Sequence, residues 1–556
     1  MPRALALAVL TVVAAVPLAA QGPAVDEPLQ PSAMFTERAQ RRAAFKDRKV
    51  QQAIQQGLVW LCAHQDEDGR WDADQFFKHD GSEPSDGPGN GVHDLGVTAL
   101  ALLALLAEAD PSRTEAATRA ADWIAAQRGE VGKEAEPGFL GAGIHDAIYH
   151  HALATLALVE AGAVLDSARW RDTAAAAVQC LLRRRNPEGA WRYNPRDGES
   201  DTSVTAWCTA ALVAARHAGT EVPAADLGKA LAWIDAVTDG MGRTGYSAPG
   251  EPSARRSGEH MVRFPVEFGE AMTAAALHTR LLLGQDPALA APERAGELLL
   301  AKPPTTKQAA VDHYYWLHGS QAMAHMPKAA TAAWFKALDA TLLEQQRRDG
   351  TAAGSWDPSG AWGEDGGRVY ATAAAVLSLQ ARYRLGELGM LAGMPRSGAL
   401  AKVRAFLLKG DLAAALPWLD RLRDDAALGA GERRVLADLD WLLDVDRQSI
   451  RTRIALLRAA QSPDWYALSC VLDRARTDYR GTALGDDADA QWQTLQDDAR
   501  AAAHLEAGRR LDALRKKYGE RTPRDPTALR EQLKWILEHH GDTPAGQLAR
   551  WWLQRL

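Results

Sequence analysis

Apolar residues between Asp201 and Arg216 fall at Val204, Trp207, Cys208, Ala211, Leu212 and Ala215, the spacing of one face of a helix. The other faces carry Ala and Thr where a surface helix would carry Lys and Glu, so the pattern predicts a helix buried all round. Asp201 and Thr202 are helix-starting residues. Ahead of them runs a polar turn carrying Gly189 and Trp191. The same order of parts recurs along the first two-thirds of the chain: an amphipathic helix, a Gly/Trp turn, a crossing loop, and a nearly all-apolar helix with a polar start.

The first unit runs from Arg41 to Cys62, turns at Asp66–Trp71, crosses 72–92 and re-enters at His93. The second has Ala121–Gln127 and a helix opened by His145 and Asp146; the third pairs Trp170–Arg184 with the helix from Asp201. The fourth pairs the helix around Leu231–Ile234 with Pro265–Leu283, the fifth Pro292–Ala301 with Asp312–His325, and the sixth Trp334–Arg348 with Gly366–Arg384. Six such hairpins predict an all-α fold, an α/α-toroid over 41–390 with the buried helices lining the inside. An open solenoid would use the same pairs, but six fully apolar helices favour closure. The loops are long, and long loops often carry binding residues.

From Pro395 the pattern changes to closely spaced helices rich in Ala, Leu, Arg and Asp, near 400–409, 412–423, 431–444, 448–461, 464–478, 489–517, 526–540 and 544–556. Paired short helices predict a smaller solenoid of tetratricopeptide type over 395–556, a class that commonly takes a protein partner.

A length of 556 residues suits two domains. Residues 1–20 place Arg3 before an Ala/Leu/Val run that ends Pro17-Leu-Ala-Ala20, the layout of a signal peptide. The expected location is therefore periplasmic or extracellular, with 21–40 as a polar leader. No later run is expected to span a membrane, which takes ~20 apolar residues. The net charge of −7, with both signs interspersed, lacks the basic stripe that nucleic acid requires. Of the four cysteines, Cys62, Cys180, Cys208 and Cys470, the Cys180–Cys208 pair is the one to test for a disulfide; the alternative is small buried hydrophobes.

Gln65-x-x-x-Gly69-x-Trp71 resembles the repeat turn of squalene–hopene cyclases and protein prenyltransferases, with Gln346-x-x-x-Gly350 a stretched version and Glu188-Gly-Ala-Trp191 one lacking the Gln. The resemblance implies the terpenoid cyclase/prenyltransferase superfamily over about 45–390. Asp201-Thr-Ser-Val-Thr-Ala-Trp207, Asp312-His-Tyr-Tyr-Trp316 and Gly354-Ser-Trp-Asp-Pro358 further resemble exported, planctomycete-type members of unassigned function. The cyclase acid motif, D-x-D-D-T-A, is matched best by Gly198-Glu-Ser-Asp-Thr-Ser203, with Ser200 at the acid position. A serine does not protonate an alkene. The zinc-binding D-x-C of prenyltransferases falls on Asp312-His-Tyr314, and Ala371 replaces the later His ligand, so two of three ligands are missing. Cys62-Ala-His-Gln65 has only the outer spacing of a thioester motif.

What remains is a set of polar residues at the starts of the inner helices. They are His93 and Asp94; His145, Asp146, Tyr149, His150 and His151; Asp201, Thr202 and Ser203; Glu267 and Glu270; Asp312, His313 and Tyr314; Arg368 and Tyr370. In a ring of parallel inner helices they would converge on one mouth. Tyr314, His318, Gln321 and His325 add a polar stripe along the fifth inner helix. One reading is a cavity that binds a small molecule, lipid or glycan through His93, Asp94, His145, Asp146, His150, His318, Gln321, Arg368 and Tyr370. Its rival is a cyclase-, lyase- or hydrolase-type enzyme using Asp201, Asp312, His313 and Tyr314. The bland alternative is that Asp and Thr are helix caps and the His bond to backbone. Trp71, Trp191 and Trp356 read as turn packing. No cofactor is expected and no residues are assigned to a metal, although the imidazole–carboxylate mix leaves a divalent ion open.

Overall fold

A computed structural model describes residues 30–131, 134–141, 143–518 and 523–556; the expected signal peptide and residues 21–29 of the expected leader lie outside them. Among the described residues the fold is all-α apart from one two-stranded ribbon. Six outer helices, Arg48–Ala63, Thr114–Ala126, Arg171–Arg184, Ala224–Ala236, Ala290–Ala301 and Lys328–Gln345, alternate with six inner ones. The inner helices are Asp94–Glu108, Ala147–Val164, Thr202–His217, Ala271–Leu282, His313–Met323 and Gly363–Arg384. Each inner helix packs on the next, and the sixth packs on the first. The ring is closed, an α/α-toroid.

A repeated turn joins the layers. The backbone N–H of Trp71, Trp191 and Trp356 donates to Thr98, Thr205 and Thr372 on the inner helices, at 2.9, 3.1 and 3.1 Å. Each indole N–H donates to a carbonyl of the preceding outer helix, Leu61, Leu181 or Leu342, at 2.7, 2.8 and 2.9 Å. All three indoles are fully buried with their one donor satisfied. Gln65 Nε2 donates to Gly69 O and reaches across to Ala116 O of the second outer helix, both at 2.9 Å. Gln346 Nε2 does the same with Gly354 O at 2.8 Å and Ala53 O of the first outer helix at 2.9 Å. Gly69 and Gly354 take φ of 102° and 94°, and a Cβ on either would fall 2.3 or 2.6 Å from the neighbouring helix carbonyl. The contact that joins unit one to unit two also joins unit six to unit one.

Several elements differ from the sequence expectations. The 21–40 leader contributes Ala33–Thr36 and the start of Arg38–Ala44, which seal the ring at the C-terminal ends of the inner helices. Arg38 is fully buried there, its NH1 on Glu160 at 2.7 Å and its Nε on Arg384 O at 3.1 Å, while Arg384 also pairs with Glu160. Arg41 donates to Ala33 O and Tyr383 O at 2.8 and 3.0 Å. The first outer helix restarts after a break at Phe45–Asp47, where Asp47 caps it. The loop of the second unit forms an antiparallel ribbon, Arg128–Val131 with Glu134–Leu140. Two inner-layer segments, Gly91–Glu108 and Ala147–Val164, each 18 residues, are by length and composition alone long and apolar enough to cross a membrane. Their burial in the ring accounts for that composition. All four cysteines are free; Cys180 Sγ lies on Glu136 at 3.3 Å, which corrects the disulfide pairing.

Beyond the ring, the two helices expected at 431–444 and 448–461 form one, Ala430–Ala459, because no breaker separates them. The single helix expected at 489–517 splits into Ala483–Asp497 and Ala502–Tyr518 at Asp498, whose side chain caps Arg500 N. The long helix lies along the fourth outer helix, where Gly228 meets Val445 O and Gln448. Arg434 NH2 donates to Arg216 O at 2.9 Å and Trp441 Nε1 to Val222 O at 2.7 Å. Met241 of the fourth turn joins a cluster with Leu511, Leu533 and Trp552.

Candidate functional site

The residues at the inner-helix starts divide into three groups. The first group caps helices or ties down turns. Asp201 is fully buried, accepting from Val204 N and Ser203 Oγ at 2.8 Å each and from Tyr246 OH at 3.1 Å. Burial raises its pKa above the usual carboxylate value, against those hydrogen bonds. Asp312 caps Tyr315 N at 3.0 Å and holds Arg255 at 2.7 Å. Glu270 is forked onto Arg243 and takes Lys302 at 2.8 Å. Asp94 Oδ1 accepts Ala73 N at 2.9 Å, and burial lifts its pKa to about 6. Arg368, expected to hold a ligand, instead fixes the 86–87 loop to the sixth turn through Asp86 O, Ser355 Oγ and Asp357. Asp94, Asp201 and Asp312 thus accept backbone N–H groups of their own units, whereas Glu270 and Arg368 are held by other side chains and, for Arg368, by the loop of unit one.

The second group lies at the rim, where units one, two and six meet. His93 Nδ1 stands 3.0 Å from His150 Nε2 and 3.8 Å from Asp146 Oδ2, and its Nε2 is 3.8 Å from Asp365 Oδ1. His150 is buried, whereas His145 is exposed, its ring tilted against Tyr193 with centroids 4.3 Å apart. His151 faces away, accepting Leu140 N of the ribbon at 3.1 Å. Glu267 is exposed.

The third group forms a column down the ring axis. Tyr149 bonds Ser203 at its top. Below stand Tyr314 and His318, their rings 4.7 Å apart, with Trp207 4.7 Å and His278 5.8 Å from His318. Gln321 lies one turn further along. His313 and Tyr370 face each other at 6.4 Å beside the column. A cavity of about 30 Å³ is bounded by Trp207, His278, His318 and Gln321, by Leu103, Leu156, Val213 and Leu377, and at its base by Met34, Glu160 and Arg384. That volume holds about one or two waters. Around the axis, Tyr314 OH, both nitrogens of His318, His278 Nε2, Gln321 Oε1, both nitrogens of His313 and Tyr370 OH are buried without a hydrogen-bond partner. Burial holds the His318 and His313 imidazoles neutral, with pKa values near 3 and 4, and pushes the Tyr314 and Tyr370 phenols well above 10.

With this geometry in place, the chain can be set beside known proteins. No protein-family model matches it, and no curated protein does. Among solved structures it is similar to the type II terpene cyclase MstE from Scytonema in its apo form, at 17% identity and TM-score 0.38, covering 60% of this chain and 98% of that one. A variant of that cyclase in complex with geranylgeranyl dihydroxybenzoate gives 16% identity and TM-score 0.39 over 61% and 98%. A protein from Actinoplanes gives 14% and 0.36 over 60% and 99%.

No hydrogen bond connects any two of Asp201, His313 and Tyr314, and both aspartates are engaged as caps. Among the described residues, those three side chains are therefore not joined directly to one another, and Asp201 is reached from Tyr149 through Ser203. The axis offers unspent hydrogen-bonding groups in an apolar wall. His278 and Trp207 belong to that wall and are absent from the sequence candidates. A lone imidazole in the apolar run Ala271–Leu282 is a readable signal for the first. A Trp on an apolar helix face is ordinary core, so the second gives none.

Proposed function

We propose that the ring is a ligand-binding scaffold whose axis takes a compact, mostly apolar molecule bearing one or two hydrogen-bonding groups. One observation carries the reading: buried, unpartnered polar atoms of His278, His318 and Gln321 line one apolar cavity. An unmade buried hydrogen bond costs about 1–3 kcal/mol, so several at one place point to a partner that completes them. The Leu and Val lining favours a lipid-like or isoprenoid fragment over a glycan. A ligand larger than water requires lining side chains such as Trp207, His318 and Leu317 to move aside. Export, and a protein partner for a tetratricopeptide-like 395–556 region, belong to the same proposal on the sequence features above.

A thermal-shift comparison of short isoprenoid alcohols, fatty alcohols and oligosaccharides tests it, with His318→Leu and Gln321→Leu alongside. Stabilisation by an alcohol, lost in both variants, is expected. No shift with any class, or one that survives both substitutions, refutes the reading.

A further inference from the structure

Away from the axis, the geometry points to a metal site: His93, Asp146 and His150 bind one divalent first-row transition ion at the rim of the ring. One donor atom of each lies within 4.8 Å of the others. Ligand atoms about 2.0–2.2 Å from Zn²⁺ stand roughly 3–3.5 Å from one another. The two imidazole nitrogens, 3.0 Å apart, already hold that spacing. Asp146 Oδ2, 3.8 Å from His93 Nδ1, needs only a small side-chain turn, and its side chain is 36% exposed and free to make it.

The surroundings fit the same reading. Asp365 faces the far nitrogen of His93 at 3.8 Å, in the place of a carboxylate that orients a metal-bound imidazole. Asp365 is itself held by Arg256. His150 sits against Gly96, where a Cβ would fall 2.9 Å from its Cδ2, so any larger residue at 96 would displace the ring. Among the described residues no Lys or Arg pairs with Asp146. The contrast is Asp72, Asp74 and Asp94, equally close together. There Lys78 holds Asp72 at 3.0 Å, and Arg70 reaches Asp72 and Asp94 at 3.8 and 3.5 Å, so the charge is already answered.

Two imidazoles and one carboxylate suit Zn²⁺, Co²⁺ or Fe²⁺ and disfavour Mg²⁺ and Ca²⁺, which take oxygen ligands. Three protein donors leave a coordination position for water or for an oxygen of a bound molecule, as in open rather than purely structural sites.

The test titrates the chelator-treated full chain with Co²⁺, read by its visible absorption, and then displaces it with Zn²⁺. One equivalent should bind, exchange with Zn²⁺ and ignore Mg²⁺. Asp146→Asn and His93→Gln should each weaken binding by about tenfold or more, and Asp365→Asn by about tenfold through the imidazole it orients. Circular dichroism confirms that each variant is folded. The proposal is overturned by the lack of a stoichiometric Co²⁺ band. It is equally overturned by a band that persists in both ligand variants.

Discussion

Replacing His318 with Leu should make the protein more stable. In the structure both ring nitrogens of His318 are buried and unpartnered, and one such group costs about 1–3 kcal/mol. Leucine fills similar space without that cost. A cooperative unit of about 350 residues unfolds with an entropy near 0.7 kcal/mol per kelvin, so the gain at pH 7 corresponds to roughly 1.5–4 °C in melting temperature. The effect should widen in acid. Burial lowers the folded-state pKa of His318 to about 3 from 6.5. Below pH 6.5 the unfolded chain takes up a proton that the folded chain refuses, so stability is lost as pH falls from 6.5 toward 3. At pH 4.5, two units below 6.5, that loss is about 2–3 kcal/mol for this one residue. Urea denaturation at pH 7 and pH 4.5, followed by tryptophan fluorescence, measures both terms. Other buried histidines titrate in both proteins, so the difference between variant and wild type isolates His318. A variant less stable than wild type by 1 kcal/mol or more at both pH values would refute the reasoning, because it would mean the imidazole is already satisfied.

Glu160→Ala leaves the Arg38 and Arg384 guanidinium groups buried without their shared carboxylate and should cost about 3–5 kcal/mol; chemical denaturation reads it. Thr205→Val removes the acceptor for Trp191 N–H and should cost about 1–3 kcal/mol, with matching losses for Thr98→Val and Thr372→Val, since all three make the same bond. Trp191→Ala empties a fully buried indole site and should cost about 3–5 kcal/mol, seen as a lower urea midpoint.

The ring was readable because its information is local. The face of Val204, Trp207, Cys208 and Ala211 and the Gln65-x-x-x-Gly69-x-Trp71 turn each specify one helix or one corner, and six copies imply the rest. The sealed base was not readable, because Arg38 looks like a solvated linker residue and Arg41 like an exposed helix-start residue until Glu160, 122 positions from Arg38, and Arg384 are brought beside them. The inner-helix starts were readable as a set but not in their roles. Asp201 and Asp312 satisfy their own first turns, a local act, whereas His93 meets His150 only through the packing of two units. The continuous helix through 444–448 follows from the same limit, since charge patterning alone does not mark a break.

The joint between Gln346, Gly354 and the first outer helix has a topological consequence. Because unit six grips unit one as unit one grips unit two, no repeat is first or last, and the order in which the units are synthesised is not written into their contacts. Gln308–Ala310 lies in the crossing loop of unit five, between its outer and inner helices. A circular permutant opened there, with the native ring ends joined by a short linker between Arg384 and Arg38, whose contact already brings them together, should fold to the same ring.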